Sequence, residues 1–259
     1  MQFYLFDNTY LGLLTAVFEC FERREWSAVP VLHSQHHPSI FDQDRIIVTD
    51  EEKAKRVHDG LIQRCNKQQV NDFYRAFLSE DPQAWNALFK IIVQIFHRDS
   101  AILQNYGDTH ILYYTQTLKK VSRERHRMKA FVRFEKSSDH LYYALIDPDF
   151  NVLPLVVDFF RKRYADQHWL IYDVKRNYGI LYDQSTTQEV QLSKTEQKDL
   201  NTVGLHVSLD DTENKYQTLW QQYFKSTNIE ARRNIKLHLQ HVPKRYWKYL
   251  TEKRTTYIR

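Results

Sequence analysis

The sequence predicts an α+β, helix-rich fold in which a central ββαββ-type sheet unit is flanked by N-terminal and C-terminal helices. Three observations lead there. Apolar residues recur at helical spacing through most of the first hundred residues, the period falls to two after Lys129, and 5 Gly with 6 Pro are too few for a turn-dense β-sandwich. With 259 residues and 42% hydrophobic content, the chain can bury a full core without metal or disulfide support. The expected layout is a single domain, 1–259, with a strand plus helical region over 1–118, a sheet-bearing core over 119–192 and a helical region over 193–259.

Phe3 to Phe6 reads as a strand, and Asp7-Asn8-Thr9 as a turn and N-cap before the apolar run Leu11, Leu14, Val17, Phe18, Phe21. Val29 to Val48 reads as irregular, since Pro30 and Pro38 interrupt it. Its His33, His36 and His37 lack carboxylate or thiolate partners at ligand spacing, so they read as loop histidines. Helices are predicted over Glu51 to Asn66, Gln69 to Leu78 and Pro82 to Arg98, the last with an Asp81-Pro82 start, and another from Asp108 or Thr109 to about Met128. In that helix Leu118, Val121, Arg125 and Met128 are expected on one side and Lys120, Arg123 and Arg127 on another. Ala130, Val132 and Phe134 then alternate with charged and aromatic residues as a strand, paired through Ser137-Ser138-Asp139 with His140 to Asp147. A helix capped by Asn151 runs over Val152 to Tyr164, followed by strands His168 to Asp173 and Tyr178 to Tyr182. After a polar connection from about Ser193 the chain reads as helical again, with Tyr216, Leu219, Trp220, Tyr223 and Phe224 on one side, until Pro243 interrupts and Arg245 to Leu250 forms an aromatic turn.

Net charge is +5, and its distribution says more than its size. Lys119 to Lys136 holds eight cations against Glu124 and Glu135, and Ala231 to Arg259 holds nine against Glu252. Such clusters suit a polyanion. The candidate nucleic-acid contacts are Lys120, Arg123, Arg127, Lys129 and Arg133 in the first segment, and Arg232, Arg233, Lys236, Lys244, Arg245, Trp247 and Lys248 in the second. Both segments are expected on one face. Trp247, flanked by cations, is the candidate for stacking on an unpaired base, whereas Trp169 and Trp220 sit in apolar patterns and read as core.

Catalytic motifs are scarce. No Gly-rich phosphate loop, nucleophile elbow, zinc-protease helix motif or iron–sulfur cysteine run occurs, so no cofactor or metal is expected. Asp147, Asp173 and Asp183 each close a predicted strand and are candidates for acid/base or Mg²⁺ chemistry, although strand-ending Asp more often shapes a turn. His126, within the most basic stretch, is a candidate base, its neighbouring cations favouring the neutral ring, or else packs under the helix end. Whether the chain is an enzyme stays open at this point. Cys20 and Cys65 lack redox or zinc spacing and read as reduced thiols of a cytoplasmic protein. No apolar stretch approaches the roughly 20 residues that span a bilayer, the N-terminus lacks signal-peptide features, and no membrane association is expected.

The stretch Ser122-Arg123-Glu124-Arg125-His126-Arg127-Met128-Lys129-Ala130-Phe131-Val132-Arg133-Phe134 resembles the core motif of a bacterial family of unknown function described as DNA-metabolism or DNA-repair proteins. Leu11-Gly12-Leu13-Leu14-Thr15-Ala16-Val17-Phe18 after Asp7, Trp169-Leu170-Ile171-Tyr172-Asp173 with Arg176, Leu219-Trp220-Gln221-Gln222-Tyr223-Phe224, Ile229 with Arg232-Arg233-Asn234, and Pro243-Lys244-Arg245-Tyr246-Trp247 are similar as well. Asn8 and Arg125 depart from it, standing where a Gly and a small residue are common. The resemblance implies an accessory role beside a radical SAM DNA-repair protein. Some relatives carry a following uracil-DNA-glycosylase-like domain, and any such activity is expected to lie outside this chain. The expectation is therefore an accessory DNA-binding protein, with metal-dependent hydrolysis and a protein-interaction scaffold as alternatives.

Overall fold

The first strand, β1 (Gln2–Phe6), buries Tyr4, Leu5 and Phe6. Asn8 then takes φ 62, a left-handed conformation that Gly adopts freely and Asn more readily than most residues. Thr9 caps α1 (Tyr10–Arg23) by accepting from the Gly12 amide at 2.9 Å. The computed structural model describes residues 2–36, 43–138, 140–191, 219, 242–251 and 253.

Val29 to Val48 departs from expectation. Val29–Leu32 forms β2 and Gln43–Ile46 forms β3, both parallel to β1, in the order β2-β1-β3. Pro30, opposite Tyr4 in the register, is compatible with a strand because β2 lies at the sheet edge, where one row of backbone amides needs no partner. Helices α2 (Glu51–Arg64), α3 (Lys67–Phe77) and α4 (Pro82–His97) start at Asp50, Asn66 and Asp81, each of whose side chains accepts a backbone amide of the first turn. Helix α1 packs on α2 and α4, and α4 covers β2. Trp85, 1% exposed, sits between Phe6 and Phe77 and donates its indole N–H to the Phe77 carbonyl at 2.9 Å.

Helix α5 (Thr109–Phe131) runs three residues beyond Met128. Lys129, Ala130 and Phe131 are thus helical, correcting the strand expected there, and β4 is only Glu135–Lys136. Alternation in 130–134 does not outweigh a helix that ends with the Val132 amide on the Met128 carbonyl and the Arg133 guanidinium on the carbonyls of Ala130 and Val132. Next come β5 (Tyr142–Ile146), α6 (Leu153–Arg163), β6 (Trp169–Asp173), β7 (Tyr178–Tyr182) and β8 (Thr187–Val190). They form one five-stranded sheet, β4-β5-β6-β7-β8. Only β5 and β6 are parallel, and α6 is the crossover that parallel neighbours require. Asn151 does not cap α6: the N-cap is Val152, and Asn151 Oδ1 accepts from the Tyr178 hydroxyl at 2.5 Å. Trp169, 0% exposed, is core, as its apolar surroundings indicate, while Trp220 lies outside the described residues.

The chain is therefore α+β and helix-rich. It divides into two compact units, Met1–Arg123 and Glu124–Arg259, with the boundary inside α5. No helix among the described residues is long and apolar enough to cross a membrane. Cys20 and Cys65 are both free thiols.

Candidate nucleic-acid interface

In the first unit, Ile111, Tyr114, Thr117 and Val121 form the buried line of α5. Lys119, Lys120 and Arg123 fall off that line, are exposed, and have no partner among the described residues. Ser122 accepts from Arg75.

In the second unit the described cations of the motif and of the Lys244–Tyr249 segment are largely engaged. Glu124, 1% exposed, is the centre of the motif's contacts. It takes Arg127 at 3.4 Å, Arg245 at 3.2 Å, the Tyr246 hydroxyl, and the Asp149 amide at 2.9 Å. Arg245 also reaches the Asp149 carboxylate at 2.6 Å, and Lys248 reaches Asp147 at 3.0 Å. These contacts fix the 3-10 helix Lys244–Tyr249. Burial pushes the Tyr246 hydroxyl up, and donation to Glu124 pushes it further, so it remains a donor.

Arg176, in the turn between β6 and β7, binds the same loop from another direction. Its guanidinium donates to the carbonyls of Pro148 and Asp149 at 3.1 and 3.2 Å and to Asp173 at 2.8 Å. Asp173 is fully buried and also accepts the Lys175 and Arg176 amides at 3.0 and 3.2 Å. Burial raises its pKa, and Arg176 offsets part of that rise. Lys175 adds a bond to the Asp149 carbonyl at 3.2 Å. The loop at the carboxyl end of β5 is thus gripped by cations from two sides, the β6–β7 turn and the 3-10 helix, while the buried Glu124 of α5 accepts its Asp149 amide.

Topology settles how the candidate aspartates are grouped. Ile146 pairs with Asp173 in the parallel register, so Asp147 and Asp173 close neighbouring strand ends. Tyr182 pairs with Trp169, which puts Asp183 opposite position 168 at the other end of the sheet, five residues and roughly 17 Å from Asp173 at about 3.3 Å per residue. Asp183 is a turn former: it accepts the amides of Thr186 and Ser185 at 2.6 and 2.9 Å together with both hydroxyls, and those bonds, led by the Thr186 amide, hold its carboxyl well below the usual range. Among the described residues no group of three or more His, Cys, Asp or Glu is arranged to hold a metal ion. His126 is exposed on α5 rather than packed under the helix end.

Of the remaining candidate DNA contacts, Lys129 lies over the Phe159 ring at 4.9 Å, with burial and then Arg125 lowering its pKa, and Arg133 closes α5. Lys244 is exposed without a partner among the described residues. The Trp247 indole donates to the Val242 carbonyl at 3.1 Å, with Lys253 over its ring at 5.3 Å. Arg232, Arg233 and Lys236 lie outside the described residues, and with them the expectation that the two basic segments share a face. Sequence reasoning missed Glu124, Asp149, Arg176 and Tyr246. The one signal was Glu124's place as a lone acid among cations, four residues before the buried Met128.

Fold and site together define an α+β protein with a buried carboxylate–guanidinium cluster in its second unit and an exposed basic helix face in its first. The model of the domain of unknown function DUF4130 matches residues 82–252, and the chain belongs to that family. No curated protein matches the chain.

Proposed function

We propose that the chain is an accessory DNA-binding protein of DNA repair or DNA metabolism, holding nucleic acid for a separate radical SAM or glycosylase partner. The observation that carries the reading is the exposed trio Lys119, Lys120 and Arg123, with no acidic partner among the described residues. Unpaired like charges at three- and four-residue spacing slightly destabilise a helix, and a phosphate backbone alongside removes that cost while releasing its own counterions. The partner enzymes come from the motif's resemblance. Metal-dependent hydrolysis has less support, because Asp147 and Asp173 each hold a cation and Asp183 is at the other end of the sheet.

The test is a salt titration of DNA binding by fluorescence anisotropy. Replacing Lys119, Lys120 and Arg123 with Ala should flatten the log–log slope by up to about 2.7 on duplex and about 2.1 on single strands, at about 0.9 and 0.7 per phosphate contact. If the unmodified protein binds no DNA in a salt-sensitive way, the scaffold reading takes the lead. Cleavage with Mg²⁺ or Mn²⁺ that Asp173→Ala abolishes would promote the hydrolytic one.

A further inference from the structure

The first unit carries an aromatic cluster that the basic helix does not account for. Trp26 is 41% exposed, on the turn between α1 and β2. That turn is pinned at several points. The Glu25 amide donates to the Cys20 carbonyl at 3.1 Å and the Ala28 amide to the Glu25 carbonyl at 3.0 Å. Lys90 Nζ donates to the Trp26 carbonyl at 2.8 Å. The Glu25 carboxylate is held by the Tyr4 hydroxyl at 2.5 Å and by Arg45 at 2.9 Å. Arg24 opens the turn at φ 58. The indole is therefore held before any partner arrives, which lowers the entropy lost on binding.

Two rings support it. Phe21 lies 5.1 Å away at 74° and His97 lies 4.5 Å away at 73°. Both meet the indole edge to face, and no ring among the described residues lies flat on it. Phe21 is backed by Phe96 at 5.6 Å, and His97 is itself exposed. Two neighbours in sequence, Arg24 and Arg98, are exposed, and their guanidinium groups have no partner among the described residues.

A fixed, exposed aromatic ring flanked by free cations is what a single strand needs. A base stacks on the ring whatever its identity, because every base has a π-face, and the cations meet the phosphates on either side. A duplex keeps its base faces stacked internally and offers the ring nothing. We infer that Trp26 with His97, flanked by Arg24 and Arg98, is a stacking platform for an unpaired base of single-stranded DNA. This rests on the DNA-binding reading above and adds strandedness to it.

The experiment measures anisotropy of a labelled oligothymidine and of a duplex with the full chain, its Trp26→Ala variant and its Trp26→Phe variant, across a salt series, with thermal melts confirming that each variant folds. Trp26→Ala should weaken oligothymidine binding by about five-fold or more, the scale of losing one base stack. Trp26→Phe should recover most of it, the duplex affinity should not move, and the salt slope should stay the same because no phosphate contact is removed. Oligothymidine affinity for a folded Trp26→Ala variant within two-fold of the unmodified chain overturns the platform and leaves the basic-helix reading standing. Equal losses on oligothymidine and duplex also overturn it. Absence of DNA binding by the unmodified chain overturns both.

Discussion

Replacing Glu124 with Ala removes the acceptor on which four groups converge: Arg127, Arg245, the Tyr246 hydroxyl and the Asp149 amide. Tyr246 is 2% exposed, so its hydroxyl is left without its carboxylate in a place that water scarcely reaches, and Arg245 keeps, among the described residues, Asp149 and Tyr246. Removing one partner of a buried, hydrogen-bonded charge pair costs about 3–5 kcal/mol. At about 2–4 °C per kcal/mol for a chain of this size, the melting temperature should fall by roughly 10 °C. Glu124→Gln keeps one carbonyl acceptor but offers two cations no charge, and about 2 kcal/mol is expected from charged hydrogen bonds of ordinary strength. Calorimetry on the two variants should give the order Ala worse than Gln worse than unmodified. An Ala variant melting within about 2 °C of the unmodified chain would refute the reasoning, since it would mean that water replaces Glu124 and that other contacts hold Lys244–Tyr249.

Arg176→Ala leaves Asp173 buried without its cation, which should cost about 3–5 kcal/mol at neutral pH. Burial already raises the Asp173 pKa, so its contribution is favourable at low pH and lost as pH rises through the folded-state value; the deficit of Arg176→Ala should therefore shrink in melts as pH falls through that raised value, before the ordinary Asp range near about 3.9 is reached. Asp7 has the opposite sign. Burial pushes its carboxyl up, but hydrogen bonds from Thr9 and Thr49 outweigh that and hold it below its ordinary range. Its stabilisation is present above about pH 3.9 and lost as pH falls through the folded-state value, so melting curves of Asp7→Asn and the unmodified chain should converge in acid. Gly12→Ala would put a Cβ 2.3 Å from Asp7 Oδ1 and 2.9 Å from Thr49 Oγ1; overpacking of about 1–3 kcal/mol should exceed the helix-propensity gain of at most about 1 kcal/mol, and a raised urea midpoint would count against the crowding seen there.

The helices were legible where a capping side chain and an apolar period agreed. Thr9 and Asp81, read as caps from the sequence, cap α1 and α4; Asp50 and Asn66 cap α2 and α3 as well, although the sequence reads as a second helix running through Asn66 and a third beginning at Gln69. Strands β2 and β3 were not legible, because each is four residues long and the evidence against them, Pro30 above all, loses force at a sheet edge. The end of α5 failed for another reason: a two-residue period over Ala130 to Phe134 is too short to compete with a helix already propagating from Thr109. In the motif, both Glu124 and Arg125 fit between Val121 and Met128 at helical spacing. Sequence reasoning put Arg125 on the inner line, whereas Glu124 is buried there. A carboxylate becomes the better inner residue only once Arg245 and Tyr246, more than a hundred positions away, are seen to meet it.

That long-range meeting changes what the basic segments mean. Counted along the chain, Arg127, Arg245 and Lys248 are as cationic as Lys119 and Lys120, and each would add equally to a salt slope. Counted by neighbours, they differ. Arg245 shares a buried carboxylate with Arg127, and taking it for a phosphate would leave Glu124 half-paired inside the fold, a loss larger than one phosphate contact returns. Lys248 holds Asp147 in a half-exposed pair of the kind worth at most about 1 kcal/mol, so a polyanion competes for it on nearly even terms. Lys119, Lys120, Arg123 and Lys244 have no such contact to give up among the described residues. Among the described residues of the basic segments, Arg127 and Arg245 are thus committed to Glu124 and Lys248 is held only weakly, so that under the proposed function Lys119, Lys120, Arg123 and Lys244 should dominate the salt dependence of binding and Lys248 should add to it in part.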